Sequence, residues 1–205
     1  QAQIQTKETL KKHLWSKIVV EKIRNQAKVL ELASLSGYDQ IMSFAQKVKL
    51  NDKDNMEAVA AAQYFKYLFG SGFSRGQDTV TNARLNYGYA IIRGLVCRSL
   101  TVYGLEPALG IHHHSQLNAF NLADDIMEVF RPMVDLCVYQ MREKEQNFLT
   151  TEDKQILYHL ISCVVWHTEA SFVLRSGKNS ADLSIEYCCG RRSIKIMCNF
   201  ALEAA

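Results

Sequence analysis

Proline is almost missing from this chain, with two residues in 205, and glycine is sparse at ten. An all-β fold needs more turn-forming residues than that, so helix is the expected state. The six cysteines (Cys97, Cys137, Cys163, Cys188, Cys189 and Cys198) contain no CxxC pair. That spacing argues against a zinc cluster and for reduced, buried thiols in an intracellular, cytoplasmic protein. No apolar run reaches the roughly 18 to 20 residues that span a bilayer, and the opening QAQIQTKETLKKHLW is too polar for a signal peptide. A soluble chain without a membrane partner is therefore expected. Strong charge of one sign is missing too: a formal net charge of +3 neither requires nor excludes a nucleic-acid partner. Internal repeats and low-complexity segments are lacking. So is an initiating methionine, and because the chain opens inside a helical pattern, further sequence upstream is expected.

What is present is a soluble globular composition, 48% hydrophobic, long enough for one domain or at most two. From Thr9 to Leu35, Leu10, Leu14, Ile18, Ile23, Val29 and Leu32 recur at near-helical spacing among Lys11, Lys12, Lys17, Lys22, Arg24 and Lys28. This predicts a long basic helix whose charges form either a solvated face or a ridge along a phosphate backbone. A short helix follows near residues 40–49. Asn51-Asp52-Lys53-Asp54-Asn55 is a helix start signal, and NMEAVAAAQYFKYLFG is the helix it starts. Glu57 in its first turn either complements the helix dipole or, beside a run of alanines that lets a neighbour approach, meets another element.

The loop GSGFSRGQDTVTN carries Arg75, available for phosphate, and precedes a largely apolar helix with Arg84, Arg93 and Arg98. Thr150-Thr151-Glu152-Asp153 reads as a helix start. The stretch from Lys154 to Leu174, with His159, Trp166 and His167, reads as core helix, and a last basic helix is expected around Arg191, Arg192 and Lys195.

The richest stretch is GIHHHSQLNAFNLADDIMEVFRPMVD, from Gly110 to Asp135. At about 100° per residue, Leu122, Ile126, Val129 and Met133 form one stripe. Asp125 and Glu128, three residues apart, share a flank and can look into one cleft. Three histidines ahead of them make a metal site plausible; an amphipathic helix with a solvated acidic edge explains the same spacing.

Taken together, DNMEAVAAAQYFKYLFG, ARLNYGYAIIRG and YGLEPALGIHHHSQLNAFNLADDIMEVFRPMVD resemble the CRISPR-associated endonuclease/integrase of the spacer-acquisition module, most closely its type II forms. The resemblance covers nearly all of the chain. It implies an all-α, irregular multi-helix bundle, with residues 1–205 as one helical catalytic domain and the family's amino-terminal β domain not in evidence. It also implies a metal site of one glutamate, one histidine and a further acid, which fall by motif on Glu57, His113 and Glu128, with Asp125 as a secondary acid. His112 or His114 remains an alternative to His113. Such oxygen-rich donors suit Mg²⁺ or Mn²⁺ better than zinc. Arg84, Arg131 and Arg75 are the expected phosphate contacts. Implied partners are DNA (spacer precursor and CRISPR repeat), a second copy of the full-length chain and a small ferredoxin-like adaptation protein. The competing expectation is a catalytically silent helical DNA-binding or interaction module.

Overall fold

A computed structural model describes residues 3–142 and 147–159, together with the backbone of residues 181–189 and 192–200. Helix α1 (Glu8–Leu32) is the axis of the fold. It is followed by α2 (Tyr38–Ala45), a 3₁₀ turn at Leu50–Asp52, α3 (Met56–Phe69) and α4 (Val80–Val102). Next come α5 (Asn121–Met127), a second 3₁₀ turn (Glu128–Phe130), α6 (Arg131–Gln140) and α7 over 151–159. Up to residue 159 the described residues contain no strand, and the bundle is all-α as the sequence led one to expect.

The core explains why α1 is central. Trp15, Ile18, Val19, Ile23, Ala27 and Leu30 are all buried, which takes in more than one face, because α2, α3, α6 and both 3₁₀ turns pack around the same helix. An apolar residue sunk this way contributes on the order of 1.5–3 kcal/mol. Lys11, Arg24 and Lys28 pair with Glu8, Glu21 and Glu31 one turn away, so much of the basic character of α1 is a locally neutralised, solvated face.

Local chemistry sets the joints. Asp52 starts α3: its two oxygens accept the Met56 and Glu57 amides at 2.8 and 3.0 Å, the capping expected of this stretch. Gly37 takes φ +101, and a Cβ there would sit 2.5 Å from the Tyr67 ring, so the turn into α2 needs glycine. Thr150 and Asp153 cap each other at the start of α7. Pro132 stands in the first turn of α6, where its missing N–H costs nothing, so the acidic stretch is three short helical pieces instead of one helix.

Residues Ala181–Cys189 (β1) and Arg192–Phe200 (β2) pair antiparallel, Ile185 opposite Ile196. This corrects the expected last helix. The segment Asp182-Leu183-Ser184-Ile185-Glu186-Tyr187 alternates polar and apolar with period two, the signature of a strand. Cys163, Trp166, His167 and Arg191, singled out in the sequence, lie outside the described residues. No helix among the described residues is long and apolar enough to cross a membrane.

Candidate metal and nucleic-acid site

Three elements bring their acids to one lysine. Lys22, buried at the middle of α1, donates to Glu57 Oε1 at 2.6 Å from α3 and to Glu128 Oε2 from the second 3₁₀ turn. Asn25, one turn along α1, holds that turn in place by donating to the Val129 carbonyl at 2.8 Å. The other Glu128 oxygen is 2.7 Å from Arg131 Nε. Burial by itself works to raise the Glu128 carboxyl, but the charges of Lys22 and Arg131 outweigh it and hold the group below the usual carboxylate range. Burial likewise opposes the charge on Lys22, and Glu128 and Glu57 together overcome it and push its ammonium upward. Glu57 is thus more than a dipole complement, and Lys22 is not part of a solvated face.

The histidine loop is organised around a second buried carboxylate. Asp125 has a fully buried side chain and accepts the backbone N–H groups of Ile111, His112 and His113 at 2.5, 2.9 and 3.2 Å. The same carboxylate lies 2.6 Å from His113 Nδ1. Asn121 completes the loop by donating to the carbonyls of Ala108, Ser115 and Asn118. A Cβ at Gly110 would stand 2.1 Å from the His113 carbonyl oxygen, so no other residue fits there.

The three histidines have different environments. His112 lies flat on the buried Trp15 indole, with centroids 4.1 Å apart and planes at 4°, and its pKa is pushed down first by burial and then by His113. His113 stands edge-on to Trp15, and its pKa is raised, chiefly by the hydrogen bond to Asp125. His114 is exposed. A carboxylate on Nδ1 selects the Nδ1–H tautomer and leaves the Nε2 lone pair of a neutral His113 for a metal.

The structure therefore joins Glu57 to Glu128 through Lys22, and His113 to Asp125. It does not close the two pairs into one sphere: among the described residues no three His, Cys, Asp or Glu side chains are arranged to hold a metal ion. The residues nonetheless fit a divalent ion. A cation already bridges Glu57 and Glu128, in the form of the Lys22 ammonium, and one imidazole nitrogen is presented by a buried carboxylate.

The arginines divide. Arg84, expected at phosphate, is only 2% exposed. Its guanidinium grips Asp153 through Nε and Nη2 at 3.1–3.2 Å and donates to the Met141 carbonyl, tying α4 to α7. It does not face a ligand. Arg131 stacks its guanidinium over Tyr89 at 4.6 Å, and Arg75, from the glycine-rich loop, lies over the same ring at 5.3 Å. Arg75 is steered by Asn82 and Asn86 at 2.5 and 2.7 Å. Tyr89 donates to the buried Asp135, whose pKa burial lifts to about 6 against the pull of Tyr89 and Arg131.

Sequence reasoning missed Lys22, Trp15, Tyr89 and Asp135. Lys22 carried a faint signal, since it sits between Ile18, Val19 and Ile23 on the buried side of α1.

The family described as "CRISPR associated protein Cas1" matches residues 1–159. The CRISPR-associated endonuclease Cas1 of Neisseria meningitidis serogroup C is 47% identical over 146 residues, which cover 69% of this chain and 47% of that protein. A second relative of the same name, from Francisella tularensis subsp. novicida, is 29% identical over 211 residues, covering 91% of this chain and 64% of its own length. The chain thus spans about half to two thirds of these relatives. Among solved structures, a casposase bound to integration product superposes with a TM-score of 0.64 at 19% identity, over 79% of this chain and 55% of that one. A Cas1 protein from Thermotoga maritima gives 0.58 at 16% identity, over 91% and 62%. At those identities the likeness is one of fold.

Proposed function

The chain belongs to the Cas1 family of CRISPR-associated proteins, and on that footing we propose that it is the helical catalytic domain of a metal-dependent DNA endonuclease and integrase. The reaction is a transesterification that inserts spacer DNA into a CRISPR repeat. The observation that carries this reading is the meeting of Glu57 and Glu128, from elements far apart in sequence, on one buried cation, the Lys22 ammonium.

Glu57, Glu128 and the Nε2 of His113 would hold Mg²⁺ or Mn²⁺, with Asp125 as the group that orients the histidine. Bound there, the ion supplies Lewis-acid polarisation of a phosphodiester and takes up charge as the phosphorus becomes five-coordinate. Arg131 and Arg75, fixed over Tyr89, present a positive wall to the phosphate oxygens. A 3′-hydroxyl oxygen attacks phosphorus in line. One P–O bond forms and one breaks, and the departing 3′-oxygen gains the proton that the attacking hydroxyl loses. With water as the nucleophile the same site nicks DNA.

The DNA partner, a second copy of the full-length protein and a small ferredoxin-like adaptation protein come with this reading, as does a cytoplasmic location. A competing reading, a catalytically silent DNA-binding module, is favoured by one observation: no three metal donors are gathered among the described residues. Incubation of the protein with 3′-hydroxyl-ended DNA and a repeat-containing target separates the two. Joined or nicked strands that require Mg²⁺ or Mn²⁺ support the integrase, whereas salt-sensitive binding without any change in strand length supports the silent module.

A further inference from the structure

Lys22 raises a problem for the site just described. Its Nζ lies 2.6 Å from Glu57 and closer still to Glu128. A Mg²⁺ or Mn²⁺ ion bridging the same two oxygens would stand at about 2.0–2.6 Å from each, so ammonium and metal claim one position. Like charges that close together, in a site that is largely buried, cannot both stay.

The fold provides somewhere for the ammonium to go. Lys22 itself lines a cavity of about 80 Å³, together with Gln26, Phe65, Tyr89, Arg131 and Asp135, among others. Gln26 follows Lys22 by four residues on α1 and so shares its face. Its Oε1 is buried and has no hydrogen-bond partner among the described residues. An orphaned buried acceptor is costly unless something fills its lone pairs, and an ammonium carries three donors. Asp135 offers a carboxylate in the same cavity. The lysine stem is long enough to pivot while its backbone stays in α1.

We propose that Lys22 is an exchangeable internal cation: before metal binds, its ammonium holds Glu57 and Glu128 together, and the ion drives it into the adjoining cavity, toward Gln26 Oε1 and Asp135. This rests on the metal-site reading above and adds to it a positioning residue from α1. In the metal-free protein Lys22 keeps the buried Glu128 carboxylate and the partly buried Glu57 carboxylate from repelling each other. On exchange the same charge moves to the wall of the site that carries Arg131, next to where phosphate would lie.

The test is Mn²⁺ affinity by calorimetry on the protein and on Lys22→Met, with Glu57→Gln as the control for the site. The Lys22-bound state is incompetent for metal, so removing the competitor tightens Mn²⁺ binding, by on the order of tenfold or more. Mn²⁺ should also raise the melting temperature of Lys22→Met by more than it raises that of wild type. Unchanged or weaker binding in Lys22→Met, with binding lost in Glu57→Gln, overturns the exchange while leaving the site intact. Binding undiminished in Glu57→Gln, or absent from both wild type and Lys22→Met, overturns the site and the exchange together.

Should Lys22→Met not fold, the wild-type protein still answers. With ¹⁵N-lysine label and the signal assigned by Lys22→Arg, saturation with diamagnetic Mg²⁺ should shift the Lys22 ammonium resonance. A resonance that stays put while Mg²⁺ binds overturns the exchange.

Discussion

The Nδ1 of His113 lies 2.6 Å from Oδ1 of Asp125, a carboxylate with no exposed surface, while the His113 side chain itself is 45% exposed. The two residues are therefore expected to fail differently. Asp125→Ala strands three loop amides that now have a buried acceptor, and should cost about 3 kcal/mol or more in urea denaturation. His113→Ala removes a half-exposed ring and should cost about 1 kcal/mol or less, yet should abolish metal-dependent cleavage. Equal stability losses in the two variants would contradict the assignment of Asp125 as the loop's organiser.

Arg84 is expected to behave as a structural residue. Its replacement by methionine leaves Asp153 buried and unpaired, and a broken buried pair costs about 3–5 kcal/mol. The double change Arg84→Met with Asp153→Leu should recover most of that. Arg75→Ala, by contrast, should leave the urea midpoint nearly unchanged while lowering DNA affinity and the steepness of its salt dependence. A folded Arg84→Met protein with the DNA-binding defect of Arg75→Ala would refute this division.

Asp135 gives a pH dependence with a definite sign. Its folded pKa is lifted from 3.8 to about 6 by burial, so the protonated form is favoured by folding. Its stabilising contribution is complete below pH 3.8 and is lost as pH rises through about 6, a change of about 3 kcal/mol. Glu128, whose folded pKa is lowered, works in the opposite direction, and the comparison with Asp135→Asn cancels it. Wild-type stability minus that of Asp135→Asn should fall across this window in urea titrations. A difference that stays flat with pH would show that the carboxyl titrates normally.

Much of the bundle was legible because its signals are local. The 3.6-residue pattern of α1, the Asp52 start of α3 and the Thr150–Asp153 cap each lie within a few residues of what they determine. The motifs singled out the candidate acids and histidine, which the fold brings together as two pairs, but not what surrounds them. Nothing near Lys22 in sequence says that Glu57 and Glu128 converge on it across two different elements. The choice of Arg84 as a phosphate contact erred for a related reason: an arginine on an apolar helix faces either a ligand or a buried acid, and only the position of Asp153 decides. The hairpin of β1 and β2 was legible in principle. Its period-two alternation lay under a cluster of basic residues that drew the reading toward a solvated helix.

The most direct measurement of the central claim is the rate of Mn²⁺-dependent strand cleavage and transfer by wild type, Glu57→Gln, His113→Ala and Glu128→Gln, each confirmed as folded by circular dichroism. If the three residues form one metal site, each change lowers the rate by about 100-fold or more, and excess Mn²⁺ restores part of it. Wild-type rates in any folded variant of the three would contradict the site.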